Sequence, residues 1–422
     1  MHEITELPNG LKIVTKTMSD TESVTVNFFV GAGGRYEDME KEYGASHFLE
    51  HLLFKGTHKR PKAQIISEEV DSVGGYMNAY TSEDHTSYYI KLPKNYFGLA
   101  FNILSDIISD PLLEQDEIDR ERKVILEEIK VFKDDPARYV YDFVGDLLWP
   151  ESTLRTNVIG NEHIIGSMQR DTIKNYFEQM YGMNNIVISV AGNVTHRQVV
   201  DLTKGLMLKF RHKSTRMFAP VKGGLSKHRV HINNEDSNQA HLVVCGRAPY
   251  LNAPDEMPMK VLSTLLGSGM SSRLFLNVRE QKGLAYSIYM SVTGFSDSGK
   301  FEIYAGVNHE KISQAIRAIR DELKKVQITE IDEKELAKAK EQLRGRYIMG
   351  LEGNAAMADL LGSQLLLNGK IQSLAETLAE IDAVTPSSVL AAAHRYLQME
   401  DLRLSLIGPY DDSEKFEKLM EE

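Results

Sequence analysis

Residues 45–54 read Ala-Ser-His-Phe-Leu-Glu-His-Leu-Leu-Phe, a stretch that is compatible with a helix. On a helix, residues three and four positions apart share one face, so His47, Glu50 and His51 point the same way. Two imidazoles at this spacing can hold one zinc ion, and the carboxylate between them can reach a water on the metal. The H-x-x-E-H order therefore predicts a zinc site with Glu50 as general base. The alternative is a helix face on which these side chains meet by coincidence.

The start of this helix has one candidate cap. Ser46 directly precedes the first histidine, and a serine hydroxyl commonly accepts a hydrogen bond from the first turn of a helix. We therefore expect Ser46 to cap the helix, although this places the cap only one residue before a ligand.

A catalytic zinc ion needs a third protein ligand and an open position for water. Residues 114–131 predict a second helix that is rich in carboxylates. Glu121 and Glu128 lie two turns apart on one face with Val124 and Ile125, the face that is expected to turn inward, whereas Glu127 is rotated away. The residues alone leave two interpretations open: Glu128 as the third ligand, or a solvated acidic face.

The remaining elements of the first half are strands and helices in alternation. Apolar side chains at every second position over 24–30 predict a strand, which ends at a glycine-rich turn over 31–34. A second alternating stretch covers 77–92 and is followed after Pro93 by apolar residues at helical spacing. A strand over 186–191 completes the half.

This order of elements recurs after about residue 230, which indicates an internal duplication. Asn95 and Asn308 precede matching helices and are 213 residues apart, and Gly192 and Gly408 end matching strands 216 residues apart. We therefore predict an α+β fold of two homologous α/β units, each a mixed or antiparallel sheet with helices packed on one face. The expected boundaries are an N-terminal unit at 1–212, a linker at 213–229 and a C-terminal unit at 230–422.

Composition limits the function classes. The chain has 422 residues, 42% of them apolar, and a net charge of −11, which is typical of a multidomain globular protein and argues against a nucleic-acid partner. No run of 18 apolar residues predicts a membrane span, and residues 1–10 lack the pattern of a secretory leader. The single cysteine, Cys245, fits a reducing compartment. We expect a cytoplasmic protein with no nucleic-acid or membrane partner.

The sequence resembles the pitrilysin or insulin-degrading-enzyme family of zinc peptidases, the inverzincins. It is most similar to bacterial members that are related to the mitochondrial processing peptidase. The resemblance extends over nearly the whole chain, and the segments that carry it are 44–57, 78–81, 121–128, 271–275 and 279–286.

This resemblance implies a ligand set and a way of binding the substrate. It implies one zinc ion per chain with Glu128 as the third ligand and Glu121 as a supporting carboxylate in the catalytic site. It also places Asn78 and Ala79 on a sheet edge to which an extended peptide substrate adds as a further strand. The alternative is that these two are ordinary strand residues.

Arg279 and Tyr286 match an Arg/Tyr pair that contacts the substrate near the zinc ion in this family. A guanidinium can grip a peptide carbonyl, and a phenol can donate a hydrogen bond to a developing oxyanion. Family members with four such units in one chain form a closed chamber, so two units imply half of a clamshell. We expect a homodimer in which Arg279 and Tyr286 of one chain reach the zinc site of the other. The alternative is a purely structural role for both.

The resemblance thus implies a zinc-dependent endopeptidase that hydrolyses short unfolded peptides or presequence-like segments. The main rival is a non-catalytic, peptide-binding partner subunit of a processing peptidase, but such subunits typically lack part of the H-x-x-E-H set, which is complete here. A structural zinc protein would need a fourth protein ligand in place of water, and nothing marks Cys245 as that ligand.

Overall fold

The computed structural model describes residues 2–206 and 213–422, and it divides the chain into two compact units. Unit 1 comprises the described residues of Met1–Lys130, Asn157–Ala219 and Gly350–Ile371. Unit 2 comprises Val131–Thr156, Pro220–Met349 and Gln372–Glu422.

Each unit is built on one β-sheet with α-helices. The strands are β1 (Glu3–Glu6), β2 (Lys12–Thr17), β3 (Ser23–Val30), β4 (Tyr76–Thr81), β5 (Thr86–Pro93), β6 (Ile186–Gly192), β7 (Val230–Asn234), β8 (Ala240–Arg247), β9 (Ala285–Gly294), β10 (Gly299–Val307) and β11 (Arg403–Gly408). The helices are α1 (Ala45–Leu53), α2 (Ala63–Asp71), α3 (Phe97–Ser109), α4 (Gln115–Lys133), α5 (Pro136–Tyr139), α6 (Val144–Leu148), α7 (Glu162–Ser167), α8 (Arg170–Met180), α9 (His196–Leu206), α10 (Glu256–Gly267), α11 (Ile312–Ile328), α12 (Glu333–Gly350), α13 (Asn354–Asn368), α14 (Leu374–Ala383), α15 (Pro386–Tyr396) and α16 (Ser413–Glu421).

The two sheets have the same topology. The order is β1-β2-β6-β3-β5-β4 in unit 1 and β7-β11-β8-β10-β9 in unit 2, so each strand of unit 2 has a counterpart in unit 1. The pairs β2–β6 and β7–β11 are parallel, and every other pair within these sheets is antiparallel. The predicted α+β fold class is thereby confirmed, and the shared strand order supports the predicted duplication.

Strand β3 shows how the core of unit 1 is organised, since all but its first residue are buried. Side chains alternate between the faces of a strand, so Val26 and Phe28 pack with Phe101 of α3 on one face. On the other face Phe29 packs against Leu361 and its neighbours on α13. Both sheet faces therefore need apolar cover, and α13 provides it from a distant part of the sequence.

Unit 2 covers the second face of its sheet in the equivalent way. Val144, Leu148 and Trp149, from α6 and the residue that follows it, pack against Val243 of β8 and Ile407 of β11. Burying apolar surface stabilises the folded state by about 25 cal/mol per Å². A sheet with apolar side chains on both faces is therefore stabilised when an amphipathic segment packs on each face.

These two helical segments correct the expected domain boundaries. Residues 131–156 belong to unit 2 and residues 350–371 to unit 1, so the halves 1–212 and 230–422 each contribute a segment to the other unit. Helices consequently pack on both faces of each sheet rather than on one. Residues 213–229 contain no helix or strand, and the unit boundary falls within them, after Ala219. The expected end of the first unit at 212 lies outside the described residues.

Several local predictions can be compared with the structure. The strand at 24–30 is β3 and the strand at 186–191 is β6, while the alternating stretch at 77–92 is a hairpin of two strands, β4 and β5. Cys245 is a buried free cysteine. In the ranges 2–206 and 213–422, no helix is both long enough and apolar enough to cross a membrane.

Close packing of α13 on the sheet can be tested at Gly362. A Cβ atom at this position would overlap the ring of Phe29 and lie 2.9 Å from Cβ of Ser189. We predict that Gly362→Ala lowers the free energy of unfolding by about 1–3 kcal/mol, because overpacking outweighs the better helix propensity of alanine. The measurement is the urea midpoint of unfolding.

Gly98 provides the matched control, since it lies in α3 and a Cβ there meets open space. Gly98→Ala should leave the free energy of unfolding unchanged or raise it by up to about 1 kcal/mol, with a matching rise in the urea midpoint. A Gly362→Ala protein as stable as the wild type would contradict the close approach of α13.

Candidate metal centre

Helix α1 orients the three side chains that the sequence singles out. Phe48, Leu49 and Leu52 are buried, which fixes the rotation of the helix about its axis. His47, Glu50 and His51 then share the opposite stripe, as their spacing predicts.

The start of α1 is held by a carboxylate from outside the helix. Gly44 occupies the cap position with a φ of 93°, which favours glycine. The Glu37 carboxylate accepts hydrogen bonds of 2.7 Å from the N–H groups of both Gly44 and Ser46. Ser46 itself does not cap the helix, because its hydroxyl pairs with the Tyr176 hydroxyl at 2.7 Å. The expected cap is therefore wrong, and Glu37 satisfies these N–H groups in its place.

Glu128 of α4 completes a group of three potential metal ligands. One ligand atom from each of His47, His51 and Glu128 lies within 4.8 Å of the others. The Oε2 atom of Glu128 is 3.7 Å from Nε2 of His47 and 3.5 Å from Nε2 of His51. The structure therefore brings together the three residues that the resemblance implied as ligands.

These distances fit a zinc ion. Ligands about 2.0–2.1 Å from a tetrahedral zinc ion are separated by about 3.4 Å, close to the distances between Glu128 and each histidine. Burial, with a smaller contribution from nearby His51, lowers the pKa of His47 to about 3. At neutral pH this imidazole is therefore uncharged, so one of its two ring nitrogens has a free lone pair that can bind a metal.

The Glu121 carboxylate contacts His51 at Nδ1, the ring nitrogen other than the one near Glu128. Its Oε2 lies 3.2 Å from Nδ1 of His51, and its Oε1 pairs with Nζ of Lys55 at 2.8 Å. Burial opposes ionisation of Glu121, but the hydrogen bonds from His51 and Lys55 outweigh burial and lower its pKa. An ionised Glu121 favours the His51 tautomer with the proton on Nδ1, which leaves Nε2 free for a metal.

Helix α4 also corrects one detail of the sequence interpretation. Val124 was expected to face inward, but it is 47% exposed. The buried stripe of α4 consists of Ile118, Glu121, Ile125 and Ile129. Glu128 lies beside this stripe with its side chain 45% exposed, so the ligand carboxylate borders solvent.

Glu50 is held by a residue of the neighbouring hairpin. The Thr81 hydroxyl, at the end of β4, donates a hydrogen bond of 2.5 Å to Oε2 of Glu50. Burial raises the pKa of Glu50 above its usual value, while this hydrogen bond acts in the opposite direction. The carboxylate is thus held on the same helix face as the two histidines, one turn from His47 and next to His51.

Asn78 and Ala79 lie on β4, which pairs only with β5 within the described part of the chain and so forms one edge of the sheet. Asn78 is exposed and Ala79 half-buried. The Ala79 N–H donates to the Asn78 side-chain oxygen at 2.9 Å. Tyr80 is anchored internally, because its hydroxyl donates to Asp359 at 2.7 Å.

Arg279 and Tyr286 lie in unit 2, whereas the group of potential metal ligands lies in unit 1. The Arg279 guanidinium is 5.7 Å from the ring centroid of Tyr286 and 4.6 Å from that of Phe275. The register between β9 and β10 shifts at Tyr286, which is 73% exposed. Such a bulge redirects a side chain out of the sheet, so the pair forms an exposed polar and aromatic surface.

Three supporting residues were not assigned these roles from the sequence: Glu37, Lys55 and Thr81. Lys55 and Thr81 lie inside the segments that carry the family resemblance, and this position is the one signal that could have drawn attention to them. Glu37 is a single acidic residue in a loop, and only the folded chain shows that it meets the start of α1.

Sequence comparisons agree with this geometry. The family model described as Insulinase (Peptidase family M16) matches residues 12–162, and the one described as Peptidase M16 inactive domain matches residues 167–343. An uncharacterized zinc protease of Streptomyces coelicolor is 36% identical, over 97% of this chain and 90% of that protein. The chain belongs to peptidase family M16.

Two further matches extend the comparison. The Arabidopsis thaliana protein named "probable mitochondrial-processing peptidase subunit beta" is 30% identical, over 98% of this chain and 80% of that protein. The crystal structure of a protease from Helicobacter pylori matches with a TM-score of 0.90 and 25% identity, over 97% of this chain and all of that one. The family resemblance inferred from the motifs is confirmed.

The supporting role of Glu121 leads to a quantitative prediction. We expect Glu121→Gln to weaken zinc binding by about 10–100-fold, because a neutral amide holds the Nδ1 proton of His51 less firmly. The measurement is a titration of the protein against a competing zinc chelator. Glu127→Gln is the matched control, since Glu127 is 70% exposed and pairs only with Lys130 among the described residues. Equal zinc affinities for the two variants would contradict the role of Glu121.

Proposed function

We propose that this M16 family member is a zinc-dependent endopeptidase that hydrolyses short unfolded peptides or presequence-like segments. The observation that carries the proposal is the convergence of His47, His51 and Glu128, with Glu50 on the same face of the helix as the two histidines. Relatives across nearly the full length are named zinc proteases, which supports the same activity.

In this proposal His47, His51 and Glu128 hold one zinc ion per chain. When bound, zinc acidifies a water molecule and polarises the scissile carbonyl. Glu50 accepts a proton from the attacking water and transfers it to the leaving amine, the work of a general base and then of a general acid. Glu121 keeps His51 in the ligating tautomer, and its role in catalysis is this orientation.

The peptide is proposed to bind along β4. An extended chain that adds to this edge forms main-chain hydrogen bonds, which favours unfolded substrates and tolerates varied side chains. Asn78 and Ala79 would contact the peptide at this edge, and Ala79 would exchange its bond to the Asn78 side chain for one to the substrate. Arg279 would bind a substrate carbonyl, and Tyr286 would donate a hydrogen bond to the oxyanion.

Zinc and a homodimer complete the proposed active form. Arg279 and Tyr286 of one subunit would act at the metal centre of the other, which makes each active site a product of both chains. The rival function, a non-catalytic peptide-binding subunit, remains an outcome of the tests below. The inactive-domain model matches residues 167–343, which do not include the H-x-x-E-H motif, so that match does not favour the rival.

The catalytic proposal is tested with Glu50→Gln. This variant should retain zinc and lose about 10²–10⁴-fold in turnover, because glutamine cannot accept the proton of the attacking water. Turnover is measured by mass spectrometry of a mixed peptide library, with chelator treatment and zinc add-back as the control for metal dependence. A zinc-loaded wild type that leaves the whole library intact would favour the binding-subunit function.

The shared active site is tested by mixing two inactive chains, Glu50→Gln and Tyr286→Phe. In a purified heterodimer carrying two different tags, one of the two sites would be intact, so about half of the wild-type rate per dimer should return. Each variant alone, refolded and tagged in the same way, is the control. No recovery in verified heterodimers would show that Tyr286 does not act across a dimer.

A further inference from the structure

The hydrogen bond between Thr81 and Glu50 divides the two carboxylate oxygens of Glu50 into separate tasks. Thr81 donates to Oε2 at 2.5 Å, and no other hydrogen bond to the Glu50 side chain occurs among the described residues. The hydroxyl of Thr86, 3.5 Å from that of Thr81, is 2.8 Å from the carbonyl oxygen of Ala32, a closer acceptor. For the single Thr81 proton, Oε2 of Glu50 at 2.5 Å is a much nearer acceptor than the Thr86 oxygen at 3.5 Å.

The donor is anchored independently of α1. Thr81 is the last residue of β4, and the turn that follows closes with a hydrogen bond of 2.8 Å from the Ser82 N–H to the His85 carbonyl. Asp84 in this turn forms a buried ion pair of 2.8 Å with Arg35. The backbone N–H of Arg35 also donates to the backbone carbonyl of Glu83 at 3.1 Å. The tip of the hairpin is thus tied to the loop after β3.

The opposite face of β4 is anchored as well. Successive side chains of a strand point to opposite faces, so Tyr80 and Thr81 project in opposite directions. The Tyr80 hydroxyl donates to Asp359 of α13 at 2.7 Å and lies 3.2 Å from Nε2 of His85. Strand β4 is consequently held from both sides, and the Thr81 hydroxyl is a preorganised donor.

We infer that Thr81 is a positioning residue for the general base: it holds Oε2 of Glu50 so that Oε1 is directed to the attacking water. The inference rests on the proposed peptidase function. A glutamate side chain has three rotatable bonds, and one fixed oxygen restricts the carboxylate to a narrow set of orientations. General bases act only from hydrogen-bonding distance of the proton that they remove, so a loss of this restraint reduces turnover.

The experiment compares Thr81→Val, which removes the hydroxyl with little change of shape, with Thr81→Ser, which keeps it. Thr81→Val should lower kcat by about 10–100-fold with KM changed less than about twofold, and Thr81→Ser should keep at least about a third of kcat. Zinc affinity, measured by chelator competition, should stay within about twofold of wild type for both variants, since Thr81 is not a ligand. A crystal structure of zinc-loaded Thr81→Val should show the Glu50 carboxylate rotated from its wild-type position.

Two further results separate positioning from a general structural role. In a Glu50→Gln background, Thr81→Val should cause no additional loss of the residual rate, because Thr81 acts through Glu50. The inference is overturned if Thr81→Val retains wild-type kcat, if Thr81→Ser loses as much as Thr81→Val, or if Thr81→Val unfolds or loses zinc. If the wild type is active and any of these results is found, the inference about Thr81 is overturned but the proposed function is not. An inactive, zinc-loaded wild type overturns the proposed function and the inference with it.

Discussion

The need to bury both faces of each sheet determines which parts of this chain must meet. In unit 1, the side chains of β3 alternate between a core shared with α3 and a second core shared with α13. Both faces of the sheet carry apolar side chains, and a face left in water would lose the stabilisation that their burial provides. The cover comes from residues 131–156 for unit 2 and 350–371 for unit 1, so neither unit is a continuous segment of the sequence.

The candidate metal centre is organised by residues outside the group of three potential ligands. Glu37 holds the start of α1, Glu121 with Lys55 holds His51, and Thr81 holds Glu50. Each support comes from a separate part of unit 1: a loop, helix α4 and the end of β4. A buried polar group that lacks a partner is costly, so these bonds stabilise the fold and also orient the reactive atoms. The geometry of the site therefore depends on the packing of several elements.

The two units share a strand order but differ in their functional residues. In unit 1, α1 follows β3 and precedes β4 along the chain. In unit 2, α10 has the equivalent position between β8 and β9, and it contains no histidine. Unit 2 instead presents Arg279 beside Tyr286, at an irregularity in the edge strand β9. One unit of the duplicated fold thus contains the group of potential metal ligands, and the other has an exposed polar and aromatic surface.

Local spacing in the sequence was enough to predict several elements and the part of the candidate site that lies on one helix. His47, Glu50 and His51 share a face because helical periodicity is local, and β3, β6 and α4 follow from the spacing of apolar residues. Glu128 stayed undecided from spacing alone, and Val124 was placed on the wrong side of the buried stripe. The family resemblance implied Glu128 as the third ligand, and the folded chain brings it to the histidines. The contact of Thr81 with Glu50 and the segment that covers each sheet are visible only in the folded chain. An apolar pattern predicts that a face is buried, because it reflects local spacing along the chain. It does not predict which segment covers that face, because that depends on how distant segments pack together.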